Sequence, residues 1–165
     1  KISRDNELED VDYAMKILDF SEFLIKKNNS ENAIALLNRS LFIFEKYLGQ
    51  DSPYVARCLY RMAELYDELK QSEKALPLRI RVVDIVEKSL GYESIRTAQA
   101  LSSLVNTYIK LFEYKAALPL KLRALAITER NFGDDSIEAA LDLNDIGRIY
   151  MNLSDYEKAE PIFTA

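Results

Sequence analysis

Glu64, Asp67 and Glu68 crowd three carboxylates into five residues, and just before them Arg57 and Arg61 stand one helical turn apart with Tyr60 between. Paired carboxylates are the machinery of glycoside hydrolysis, in which one protonates the leaving group while the other activates water or attacks. That division of labour needs a site that drives two proton affinities apart, and a Glu-rich helix surface supplies none. The arginines suit recognition instead, because a planar guanidinium fork grips carboxylates and an amphipathic aromatic beside it is a common binding hot spot. The competing structural reading is a solvated helix face on which the arginines pair with Glu64 and Asp67.

The rest of the inventory removes most other chemistry. Histidine is absent from the 165 residues, which excludes Ser-His-Asp and Cys-His nucleophiles and every His-containing zinc pattern. The single cysteine, Cys58, allows neither an internal disulfide nor a thiolate metal site. It reads as a small apolar filler on a helix and fits a reducing compartment, so a cytoplasmic location is expected. Four glycines, at 49, 91, 133 and 147, cannot assemble a phosphate-cradling loop. The expectation is therefore a protein that is not an enzyme and takes no cofactor and no metal. A net charge of −5 repels phosphate, so nucleic acid is not the expected partner. Charged residues break every apolar stretch, so no membrane span is expected either.

The elements that position these residues follow from a repeat. Gly49, Gly91 and Gly133 stand 42 residues apart, each opening a unit whose later residues recur in register. A fixed period of this size is the mark of a solenoid, in which each unit buries its apolar face against its neighbours. Units of about 7–48, 49–90, 91–132 and 133–165 make one expected domain spanning 1–165, the first copy degenerate and the last truncated. Within a unit, Val55, Leu59, Met62, Ala63, Leu65, Tyr66 and Leu69 form the stripe of an amphipathic helix A. Ser52, Ser94 and Ser136 are placed to cap its N-terminus, with Pro53 at the first helical position. A short polar break leads to helix B, which carries Ala33, Ala75, Ala117 and Ala159 in register, with Pro77, Pro119 and Pro161 just beyond its first turn. The fold class is all-α, a right-handed α-solenoid of antiparallel helix pairs. The A helices are expected at about 9–26, 53–69, 95–111 and 137–153, and the B helices at about 30–47, 73–89 and 115–131 with a stub from 157. Tyr66, Tyr108 and Tyr150 are expected to be largely buried.

The pattern Leu59-x-x-Met62-Ala63-x-x-Tyr66 with Ala75, and its copies at Leu101, Leu104, Tyr108, Ala117 and at Leu143, Ile146, Gly147, Tyr150, Ala159, resembles the tetratricopeptide repeat. The 42-residue length, E-K-A-L-P-L and the E-K-x-L-G ending are similar to the kinesin light chain subtype. The resemblance implies a non-enzymatic scaffold that binds a peptide or extended protein segment on its concave face. The other class of function it allows is a sensor or regulatory array attached to an effector domain outside this segment. Kinesin light chains usually carry L-N-N-L-A on helix A, and here only Asn144 matches.

The resemblance also implies that the A helices line the groove, so the residues left over by the core stripe become the expected partner-binding set: Arg57, Tyr60, Arg61, Ser103, Asn106, Asn144 and Arg148. Basic groups at its start suggest a peptide acidic at one end. On helix B, Arg39, Arg81 and Arg123 recur with Arg79, Lys115 and Lys121 nearby, forming a convex basic stripe that Glu45, Glu87 and Glu129 balance. The truncated last unit is expected to leave Ile146, Ile149, Tyr150 and Leu153 uncovered, with self-association through that end.

Overall fold

The structure, a computed structural model, describes the backbone of residues 2–164 and the side chains of residues 9–164. Among these it contains eight α-helices and no strand. The chain divides into two compact units, Lys1–Ile85 and Val86–Ala165. The first holds α1 (Ile2–Lys26), α2 (Ser30–Leu48), α3 (Pro53–Glu68) and α4 (Ser72–Leu90) as far as Ile85. The second holds the end of α4, then α5 (Ile95–Lys110), α6 (Tyr114–Phe132), α7 (Ile137–Asn152) and α8 (Tyr156–Thr164). Odd-numbered helices are the expected A helices and even-numbered ones the B helices.

The caps explain where the helices begin. Ser52, Ser94 and Ser136 hold extended backbone, and their hydroxyls accept from the N–H groups of Tyr54, Thr97 and Ala139 at 3.3, 3.2 and 3.2 Å. Each satisfies one orphan donor of the first turn. Gly49 and Gly133 end helix B at φ 86°, ψ 162° and φ 93°, ψ 155°, a region essentially closed to residues with a Cβ. Among the described residues, chain neighbours aside, no atom lies within 4 Å of the position a Cβ would take there. Backbone angle, not space, therefore demands glycine.

In the first unit Leu18, Leu37, Phe44, Val55, Leu59 and Leu65 are fully buried, each worth roughly 1.5–3 kcal/mol of transfer free energy. The buried Ser40 hydroxyl donates to the Ala14 carbonyl at 3.0 Å, tying α2 to α1. In the second unit Val105, Ala117 and Ile149 form one cluster and Leu125, Ala139 and Ile146 another. Ala33, Ala75, Ala117 and Ala159 are all buried, as a small side chain at a close helix crossing requires. Gly147 serves the same end: a Cβ there would meet the Phe163 ring at 2.6 Å, so its absence seats α8 on α7.

Three expectations are corrected. Helix α1 begins at Ile2, not near residue 9, because Glu7 replaces the glycine that would break it and no proline follows. Tyr66, Tyr108 and Tyr150 are only half-buried. The residues one position earlier, Leu65, Thr107 and Ile149, occupy the interior instead, while Lys74 and Lys158 each lie 5.6 Å from the Tyr66 and Tyr150 ring centroids. A half-buried tyrosine combines apolar packing of its ring with a polar hydroxyl that favours water or a hydrogen-bond partner. Ile146 and Ile149 are buried too, under the clusters just described, and Tyr150 and Leu153 are half-buried. The large apolar side chains exposed near that end are Met151, Tyr156 and Phe163.

Candidate peptide-binding faces on the A helices

On α3 the core takes Val55, Ala56, Cys58, Leu59, Met62, Ala63 and Leu65, which leaves Arg57 exposed and Tyr60 and Arg61 half-buried on the far side. Arg57 Nη2 lies 2.8 Å from Glu22 Oε1 and 3.5 Å from Asp19 Oδ1, both on α1. Arg61 Nη1 lies 2.9 Å from Glu64 Oε2, and its Nε 3.5 Å from Glu22 Oε1. The arginines thus bridge two neighbouring A helices. The hydrogen bond from Arg57, aided by the positive charges of Arg57 and Arg61, outweighs desolvation and holds the Glu22 carboxyl below its ordinary range.

The three clustered carboxylates part company. Glu64 serves Arg61, Glu68 faces solvent, and Asp67 is buried. Asp67 does not pair with Arg57 or Arg61 on a solvated face: it accepts from Ser72 Oγ at 2.7 Å and lies 3.6 Å from Arg79 Nη2. Burial thus separates Asp67 from Glu64 and Glu68, which lie toward solvent.

On the second unit's A helices, Ser103 is half-buried and its hydroxyl back-bonds to the Gln99 carbonyl at 3.0 Å, while Asn106, Asn144 and Arg148 are exposed or half-exposed. Arg148 Nη1 lies 3.9 Å from Asp145 Oδ1. Each unit therefore keeps its share of the expected residues on its A helices: Arg57, Tyr60 and Arg61 on the first, Ser103, Asn106, Asn144 and Arg148 on the second.

Sequence reasoning missed a buried polar network. Lys121 does not belong to a convex stripe: it is 3% exposed and its Nζ lies 2.7 Å from Asp142 Oδ1, 2.9 Å from Asp145 Oδ2 and 3.3 Å from Ser102 Oγ. Thr128 donates to Asp142 Oδ2 at 2.7 Å. Arg79 is buried likewise. The signal was present, since Arg79 and Lys121 follow Ala75 and Ala117 by four residues and must share their inward face. Arg81 and Arg123 do form balanced ion pairs on the B helices, 2.6 Å from Glu45 and 2.5 Å from Glu87. Their partners belong to the preceding repeat, not their own.

Burial pushes the Cys58 thiol up to about 12, with Arg57 pulling it down and Glu45 adding to the rise, so it is an inert filler. Among the described residues no cluster of His, Cys, Asp or Glu is placed to hold a metal ion. None of the described helices is long and apolar enough to cross a membrane.

Pairs of helices with small residues at their crossings, capped by serine and closed by glycine at a 42-residue interval, define an all-α repeat of the solenoid class. The chain belongs to the tetratricopeptide repeat family, whose profile matches residues 13–88 and 96–165. Solved structures similar to it include BtubC (BKLC) from P. vanneervenii, with a TM-score of 0.80 and 19% identity over 90% of this chain and 59% of that one. A Podosopora anserina putative kinesin light chain with TPR-like repeats matches at a TM-score of 0.79 and 18% identity, over 92% of this chain and 71% of that one. A Rap protein complexed with Competence and Sporulation Factor matches at 0.69 and 19%, over 93% and 41%. The fold thus agrees with the kinesin light chain-like form of the repeat. No curated protein matches the sequence.

Proposed function

We propose that this chain is a non-enzymatic interaction scaffold that receives a peptide or extended protein segment on the exposed faces of its A helices. The observation that carries this reading is the row Arg57, Tyr60 and Arg61: after the core stripe of α3 is buried, these guanidinium and phenol groups remain at the surface. Mixed donors and acceptors along a helix face are what an extended ligand needs to satisfy its backbone. Arg57 and Arg61 already hold Asp19, Glu22 and Glu64. An incoming acidic residue would exchange for Glu22, which favours a peptide acidic at one end and disfavours weak anions. A cytoplasmic location fits the single buried thiol.

The test is a peptide array or pull-down with the wild type and an Arg57→Glu/Arg61→Glu variant that keeps its helical circular dichroism. Loss of partner recovery is expected, and unchanged recovery would overturn the assignment of this face. A regulatory array within a longer protein is the second reading. It is favoured by likeness to the Rap protein above and to aspartyl phosphate phosphatase F from Bacillus subtilis, of which this chain covers 41% and 39%.

A further inference from the structure

Three successive helix B positions, 42 residues apart, hold Leu37, Arg79 and Lys121, all buried. Leu37 shows that the repeat can fill this position with an apolar side chain. Lys121 shows what a cation needs there: two carboxylates, Asp142 and Asp145, and a hydroxyl. Within the first unit the carboxylate beside Arg79 is Asp67, 3.6 Å from Nη2, and its Nε and Nη1 are buried with no hydrogen-bond partner among the described residues. A buried guanidinium with unmet donors is costly, and in a native protein such a group calls for an explanation. Its carbon lies 4.6 Å from the centroid of the Tyr60 ring, and Tyr60 is half-exposed on the face assigned above to the ligand.

We infer that Arg79 is a carboxylate anchor beneath Tyr60: the second carboxylate, which Lys121 finds within the chain, is supplied to Arg79 by the bound partner. The inference rests on the proposed peptide-binding face and names the chemistry that enters it. Tyr60 turns aside to admit the carboxylate, and Arg57 and Arg61 flank its entry. Either a chain terminus or an Asp or Glu side chain carries the group.

The test is a titration of nitrogen-15-labelled protein, followed at the Arg79 Nε–H resonance. N-acetylglycine stands for a chain terminus, N-acetylaspartate α-amide for an acidic side chain, and N-acetylglycinamide for the uncharged control. The resonance is assigned by its loss in Arg79→Leu, a substitution that copies the apolar solution of the first repeat at Leu37. A saturable shift with at least one carboxylate, at least tenfold larger than with the neutral amide, is expected, and the stronger of the two carboxylates identifies the source. Equal shifts with all three probes, or none, would overturn the anchor. If Arg79→Leu fails to fold, carbon-detected assignment of the wild type replaces it, and the comparison of charged with neutral probes still decides. The Arg57→Glu/Arg61→Glu variant separates the two ideas. If it abolishes partner recovery while wild-type Arg79 ignores carboxylates, the face stands and the anchor fails. If partner recovery is unchanged while Arg79 still responds, the face fails.

Discussion

The Arg81 guanidinium lies 2.6 Å from the Glu45 carboxylate and 3.3 Å from the Gln50 carbonyl, so α4 is stapled to the end of α2 and to the loop that follows. Arg123 repeats the contact in the second unit, 2.5 Å from Glu87 and 3.2 Å from the Tyr92 carbonyl. Each staple holds the loop that follows one of the helix-ending glycines. The Glu87 side chain is the better buried of the two acceptors, at 14% exposure. Arg123→Ala should therefore cost about 1–2 kcal/mol, between the value of an exposed pair and that of a charged hydrogen bond. Urea unfolding measures this, and a loss under a few tenths of a kcal/mol would mean that the pair is solvated and idle.

Phe112 should be a stabilising target. It closes helix α5 at φ 61°, where the Glu113 N–H reaches back to the Tyr108 carbonyl at 2.9 Å, and its own ring is exposed. A left-handed turn of this kind normally takes glycine or asparagine, and an L-residue with a Cβ bears roughly 1–2 kcal/mol of strain there. Phe112→Gly is expected to raise the unfolding midpoint. A lowered midpoint would show that the edge contact with Tyr114 outweighs the strain.

Glu22 gives the first unit an acid sensitivity. Its folded-state affinity for protons is depressed, chiefly by the Arg57 hydrogen bond, so its contribution to stability is present above the ordinary carboxylate range and is lost as pH falls through the lower folded value. Wild type should exceed Glu22→Gln in stability at pH 7, and the two should converge in acid. A gap independent of pH would place the effect in packing instead.

Cys58 should resist thiol reagents in the native state, since both its burial and a pKa pushed up to about 12 suppress the thiolate. Ellman's reagent at pH 8 should react only as fast as the protein unfolds. Prompt labelling of the folded protein would contradict the packing of α3.

The period of 42, the serine caps, the glycine stops and the alanine crossings were all legible in the sequence, because each is a local requirement on one residue's shape or backbone angle. Helix boundaries followed from them to within a residue or two, except at α1, where Glu7 removed the stop signal. The sequence likewise separated Arg57, Tyr60 and Arg61 from the core of α3, since helical periodicity decides which side chains face outward. Tertiary structure alone decided what those charges do. Asp67 and Glu68 are adjacent in the chain, yet one is buried against Ser72 and Arg79 while the other faces water. Arg57 turned to Glu22, 35 residues away, and Arg81 to Glu45 in the preceding repeat. Ion pairing depends on which helices lie side by side and how deep a group sits, and neither distance nor burial is written in the spacing of residues along one helix.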